Sequence, residues 1–292
     1  MLCADVQTIE PEALLQTVNV VYRIVTKPTQ HQTARPNLVS IDGWGINIAS
    51  QSAAIEELGQ SSANGTGYML VCMNLDHLVK LRSDTAFREV YRHPAARIMA
   101  DGAPVAALAR LQNGAVQRSP GPDLMVPLCN EAARLNLPIA VFGTRSDVLA
   151  RVCSKLQADC QGLTIAMSDA PRFGFDPTSA EADAAADAIS ASGAKLVLLG
   201  LGSPKQEMFA LRAIERHPHL GFICIGAALD FFVGEQQRAP RVMRNLGIEW
   251  AWRLANNPRR LARRYWLCAV LLADLTIRLP LQRKLGLNKT TP

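Results

Sequence analysis

The chain has 292 residues, 49% hydrophobic and 19% charged, which is length and apolar content enough for a full core and excludes an intrinsically disordered polypeptide. Seven cysteines, an odd number without a C-x-x-C pair, indicate neither a disulfide framework nor a zinc site, and fit a reducing cytoplasm best. The net charge of +6 is unevenly placed: from Arg238 onward ten arginines and two lysines face two carboxylates, a net +10 that leaves −4 for the rest, so the tail is expected to meet an anionic partner.

In chain order, residues 1–36 read as an extension ending in a polar, proline-flanked linker at 28–36. The first residues carry acids and no charged-then-apolar leader pattern, and no run reaches the roughly 20 apolar residues of a bilayer span, so neither export nor a transmembrane helix is expected. Apolar runs of strand length at 38–41, 68–73, 97–100, 138–143, 163–167, 195–200 and 221–225 then alternate with helical patterns at 75–91, 104–111, 124–135, 147–156, 179–192 and 205–215. That order predicts an α/β fold over 37–237: a Rossmann-like, mostly parallel sheet with helices on both faces. Residues 238–292 predict a basic helical appendage, with one helix over 240–256 and a second over 258–279. In the second, Arg259, Arg260, Arg263 and Arg264 flank an apolar stripe of Leu261, Tyr265, Cys268, Leu272 and Leu275. Two readings stay open: a helix packed on the core with a solvated charged face, or a helix lying on a membrane surface with Trp252 or Trp266 at the interface.

The segment LVLLGLGSPKQE, residues 196–207, hands a buried strand to a glycine turn and a charged helix, which marks a ligand-binding edge. Gly200 and Gly202 begin a dinucleotide fingerprint, but Lys205 stands where its third glycine belongs. Lys205 can meet an anion and Gln206 offers a selective amide; a tight turn with exposed polar residues is the plainer alternative. Other candidates lie at carboxyl ends of predicted strands, where open α/β sheets bind ligands. Asn74 closes one strand and can bind or cap the next helix. Asp101 emerges directly from a buried strand before Gly102, which makes it the candidate general base. Arg118, on a rigid turn, can grip a phosphate or be merely solvated. Gly143 opens another turn for anion binding or capping, and Asp230 is placed to take a ribose hydroxyl pair. The chain has no D-x-D, H-E-x-x-H, G-x-S-x-G or Walker pattern, and the five histidines show no ligand spacing and read as surface or capping residues, so neither metal nor cofactor is expected.

Taken together, Asn74 ahead of a helix, Ala100-Asp101-Gly102, Arg118 to Leu124, Phe142-Gly143, Gly200 to Glu207, Gly226 to Gly234, Arg238-Ala239-Pro240 and Glu249-Trp250 resemble the WecG/TagA/CpsF family of bacterial glycosyltransferases, in family order over about 38–265. The resemblance implies an inverting transfer of a hexosyl unit from a UDP-sugar to a polyprenyl-diphosphate-linked acceptor in surface polysaccharide assembly, at the inner face of the cell membrane. The glucosyltransferase branch of xanthan-like exopolysaccharide synthesis is the leading expectation, and N-acetylmannosamine or N-acetylmannosaminuronic acid transfer the alternative. By position Asp101 would be the base, Asn74 would orient sugar or acceptor, Gln206 would line the nucleotide-sugar pocket and Arg118 would meet phosphate. Arg241, Arg244, Arg253, Arg259, Arg260, Arg263 and Arg264 would contact diphosphate or an anionic membrane; nucleic acid is not an expected partner, and a homo-oligomer is left open. Cys72 departs from the threonine common there, and residues 1–36 lie outside the pattern. Two rivals of other classes are a nicotinamide-dependent oxidoreductase, disfavoured by the broken glycine fingerprint, and a non-catalytic basic adaptor.

Overall fold

The computed structural model describes residues 36–112 and 114–284; the expectations for residues 1–35 lie outside the described residues. A hairpin, β1 (Val39–Ile41) and β2 (Trp44–Ile46), precedes helix α1 (Gln51–Ala63). Strand β3 (Tyr68–Met73) leads into α2 (Leu75–Ser83) and α3 (Thr85–Arg92), and β4 (Ala96–Ala100) into α4 (Ala103–Leu111) and α5 (Gly121–Arg134). There follow β5 (Ile139–Gly143), α6 (Ser146–Asp159), β6 (Ile165–Asp169), α7 (Ala180–Ala191), β7 (Leu196–Gly200), α8 (Lys205–Arg216), β8 (Gly221–Cys224) and the short α9 (Ala228–Phe232). The C-terminal segment forms α10 (Arg241–Asn245), α11 (Glu249–Asn256) and α12 (Pro258–Lys284).

Strands β3 to β8 make one parallel sheet in the order β4-β3-β8-β7-β5-β6, which gives the expected α/β, Rossmann-like architecture. Every residue of β3, β4 and β5 is buried, because helices cover both faces and the strands can be apolar throughout. The β4 edge is blocked: Asn47 and Ile48 donate their backbone N–H groups to the Ile98 carbonyl, and the Asn47 side chain accepts from Ile98 N–H at 2.7 Å. One face packs α2, α3, α7, α8 and α12 around Phe87, Phe142, Phe209 and Phe222; the other packs α1, α5, α6 and α9 around Leu58, Leu128, Val152 and Leu229. The helices after β3 and β7 therefore lie on one face and the helix after β8, between them, on the other. This divergence opens a crevice at the carboxyl ends of the strands.

The helix expected over 75–91 is two helices, because Asp84 turns extended and its carboxylate accepts from Phe87 N–H at 3.0 Å, starting α3 afresh. The helix expected over 240–256 is broken by Gly247, which has a φ of 74° and lies against Ala103 at the start of α4. The stripe on α12 meets the core rather than leaving it free: Cys268 and Leu275 are buried with Leu267 and Leu271. An ionic cluster fastens the far end of α12, with Arg82 donating to Asp42 at 2.5 Å and to Asp274 at 2.8 Å, and Arg278 donating to Asp42 at 2.5 Å.

Candidate active site

Where β3 and β4 end, a cleft of about 280 Å³ opens between the core and α10–α12. Asn74 and Asp101 lie on its core side, together with Arg118 from the turn before α5. The Asn74 side-chain Oδ1 also accepts from His77 N–H at 3.2 Å, so the residue caps α2 while it lines the cleft. Asp101 is set by its N–H, which donates to the Met73 carbonyl at 2.7 Å, and Gly102, at φ 85°, then turns the chain into α4. Burial pushes the Asp101 carboxyl up to about 6; Arg253, Arg118 and Arg238 pull it down and Glu249 pushes it further up. It therefore differs from an ordinary aspartate, yet remains ionised in the main at neutral pH.

The opposite wall comes from the last helices. Arg238 pairs with Asp123 at 2.6 Å, Arg253 with Glu249 at 3.0 Å, and Arg264 with Asp76 at 3.2 Å. Arg118 donates to the Arg244 carbonyl at 2.7 Å, tying the core turn to α10. The Nε atoms of Arg238, Arg244 and Arg253 are buried without a hydrogen-bond partner among the described residues, an arrangement that an anion between them would satisfy. Burial by itself disfavours the ionised form of Asp76, but Arg264 and Lys80 outweigh it and hold the carboxyl below its usual range. Trp250 and Tyr265, with ring centroids 6.0 Å apart, complete this wall.

A second depression lies beyond β5 and β7, lined by Thr144, Arg145, Val148, Asp230, Glu235 and Gln236. Gly143, at φ 121°, passes so close to β7 that a Cβ would sit 2.6 Å from the Gly200 carbonyl carbon, and Thr144 N–H donates to the Gly200 carbonyl at 3.1 Å. Gly200 is likewise compressed, by Leu229, while Gly202 turns at φ 75°. Both Asp230 oxygens are engaged, one by Thr144 at 2.6 Å and one by Gln236 at 2.7 Å.

Several candidates point elsewhere. Gln206 is buried, accepts from Gly226 N–H at 2.9 Å and donates to Glu207 at 2.7 Å; it staples two turns together and does not line either depression. Lys205 donates to the Phe175 carbonyl at 2.9 Å, holding the loop before α7. Among the tail arginines, Arg244, Arg253 and Arg264 line the cleft, whereas Arg241, Arg259, Arg260 and Arg263 are exposed on the surface. His77, expected at the surface or as a cap, is buried, with Nδ1 2.9 Å from Tyr91 Oη, and burial pushes it down to about 3. Asp76, Arg238, Glu249, Trp250 and Tyr265 belong to the cleft without having been singled out as its residues. The i, i+4 spacing of Glu249 and Arg253, and Asp76 two residues after Asn74, were the available signals.

Among the described residues no group of three or more His, Cys, Asp or Glu could hold a metal ion, and no helix is long and apolar enough to cross a membrane. A cleft at the strand ends, holding a desolvated carboxylate and converging guanidinium groups, suits transfer chemistry at a phosphorylated substrate. The family description "Glycosyl transferase WecG/TagA/CpsF family" matches residues 39–285, well over half of the chain, and the protein belongs to that glycosyltransferase family, which implies a sugar donor and an acceptor.

Proposed function

We propose that the protein transfers a hexosyl unit, with inversion, from UDP-glucose to a polyprenyl-diphosphate-linked sugar in bacterial exopolysaccharide synthesis. The observation that carries this reading is Asp101, a desolvated carboxylate facing Arg118, Arg238 and Arg253 in one cleft. As the acceptor hydroxyl attacks the anomeric carbon, Asp101 takes its proton; a base whose protonation midpoint lies just below the working pH is both ionised and basic enough for the task. Asn74 orients the attacking sugar. The charge that develops on the departing UDP is met by the guanidinium groups, whose unpartnered Nε atoms need no reorganisation to receive it. The uridine lies toward Thr144 and Asp230, with ribose hydroxyls replacing the Thr144 or Gln236 contacts of Asp230.

The enzyme works as a peripheral protein at the inner face of the cell membrane. Exposed Arg259, Arg260 and Arg263 attract anionic headgroups, and exposed Val242, Leu246 and Trp266 supply apolar contact. A matrix of UDP-sugars against polyprenyl-diphosphate-linked sugars, with the anomeric configuration of the product read by NMR, tests the reading. UDP-glucose used best with inversion supports it; preference for an N-acetylmannosamine-type donor replaces the glucosyl assignment, and retention of configuration removes the single-displacement mechanism.

A further inference from the structure

A line of buried polar groups runs beneath the turns after β7 and β8, and the proposed chemistry leaves it unused. Glu207, in the first turn of α8, is fully enclosed, and its Oε1 accepts from Gln206 Nε2 at 2.7 Å. Gln206 Oε1 in turn accepts from Gly226 N–H at 2.9 Å. On the other side of Glu207, His77 Nε2 stands 3.7 Å from the same Oε1, and Tyr91 Oη lies 2.9 Å from His77 Nδ1. Burial pushes His77 down to about 3, so the ring is neutral and its contact with Glu207 is polar rather than an ion pair. Burial also pushes the Glu207 carboxyl up, although Gln206, its own backbone N–H, Lys80 and Ser203 pull it down.

An enclosed carboxyl costs stability that a leucine of similar size would not. What offsets it is the partner it serves. A backbone N–H can only donate, so Gly226 fixes the Gln206 carboxamide with its oxygen toward that turn and its NH2 toward residue 207. An acceptor is therefore required at 207; with an apolar residue there, the carboxamide either keeps a buried unpaired NH2 or swings away from Gly226. Gly226, at φ 56°, leads through Ala227 into α9, which carries Asp230.

We infer that Glu207 is a positioning residue of the transferase: its side-chain oxygen fixes the Gln206 carboxamide, Gln206 fixes Gly226, and the turn so held presents Asp230 to the ribose of the donor. This rests on the proposed uridine site and adds the residue that sets its geometry from beneath, out of contact with substrate. His77 and Tyr91, themselves buried, close the enclosure against water, so solvent does not replace the acceptor.

Calorimetry with UDP on the full chain compares the native protein with Glu207→Leu, Glu207→Gln, Asp230→Ala and the Glu207→Leu, Asp230→Ala double variant. Glu207→Leu is expected to weaken UDP by about tenfold, the usual consequence of one buried donor losing its acceptor. Glu207→Gln, whose side-chain oxygen restores that acceptor, is expected to recover native affinity. In the Asp230→Ala background the leucine change is expected to cost almost nothing further, because both act along one path. Native affinity in Glu207→Leu overturns the inference. So does an equal loss in Glu207→Gln, which would make charge rather than the acceptor the operative property, and so does an undiminished loss in the Asp230→Ala background. Native affinity in Asp230→Ala alone, or no binding of UDP by the native chain, removes the proposed uridine site and this inference with it. Weakened binding by Asp230→Ala beside an unaffected Glu207→Leu removes this inference alone. Where Glu207→Leu does not fold, the unbranched Glu207→Met replaces it; loss of folding in both makes Glu207 a purely structural residue and overturns its positioning role.

Discussion

Asp101→Asn keeps the shape of the side chain and removes its charge, so the variant stands for the protonated acid at every pH. Burial raises the carboxyl from the ordinary 3.8 to about 6, and at about 1.36 kcal/mol per pH unit the folded protein gives up roughly 3 kcal/mol to keep it ionised at pH 7. Because the folded value lies above the unfolded one, that penalty is absent below about pH 4, where both states are protonated. It grows as pH rises to about 6 and is constant above. The asparagine variant is free of it, so its melting temperature should exceed that of the native enzyme by roughly 5–10 °C at pH 7.5 and match it near pH 4. Transfer should fall by about 10²–10⁴-fold over the same comparison, since the amide cannot accept the proton. Differential scanning calorimetry at the two pH values, paired with single-turnover kinetics, reads both effects. Equal melting temperatures at pH 7.5 would show that the carboxyl is not desolvated, and native single-turnover rates would remove Asp101 as the base.

The native single-turnover rate should drop about tenfold per pH unit below about 6, as Asp101 takes up its proton, and stay level toward neutrality; a limb near 4 would point to an unperturbed acid. With guanidinium groups meeting the leaving diphosphate, transfer by demetallated enzyme in EDTA should equal transfer in magnesium, and loss restored by a divalent ion would contradict that account. Reversing exposed Arg259, Arg260 and Arg263 to glutamate should weaken binding to anionic vesicles by at least ~1 kcal/mol per residue at low salt, measured by co-sedimentation. Arg264 is left intact in that comparison because it pairs with Asp76. Gly143→Ala combines a φ of 121° with a Cβ placed 2.6 Å from the Gly200 backbone, so a loss of about 3 kcal/mol or more is expected in denaturant unfolding.

The parallel strands were legible because each is a short, unbroken apolar run between turn residues, the pattern a sheet covered on both faces requires. Helix α1 was not, since Ile55 and Leu58 are its only large apolar residues and its packing rests on Ala54 and Gly59 as much as on them. Strand ends placed Asn74 and Asp101 at the cleft, because position at the carboxyl edge follows from chain order alone; Arg118, expected at a strand end, instead follows α4, and its turn brings it there. Position does not give direction: Gln206 stands at the same edge and turns inward to Gly226, and Lys205 reaches sideways to Phe175. Helical spacing likewise grouped Arg263 with Arg264, although the docking angle of α12 sends the first to solvent and the second to Asp76. Both differences have one cause, that side-chain aim depends on tertiary packing which no local pattern encodes.

The cleft is assembled from two separate stretches of sequence, the strand-end turns before Arg238 and the helical wall after it, and this division bears on how such enzymes diversify. Exchanging the wall between relatives would alter what lies opposite Asp101 while leaving the turns at Gly143, Gly200 and Gly226 as inherited. The seam sets the terms of a viable exchange. At Gly247 a Cβ would come 2.4 Å from that of Ala103, so a graft demands a glycine meeting a small residue at this crossing. Arg238 in turn must find a carboxylate where Asp123 now stands. Two local compatibilities, rather than similarity across the whole chain, would then decide which recombinants keep a closed cleft and are available for new acceptors.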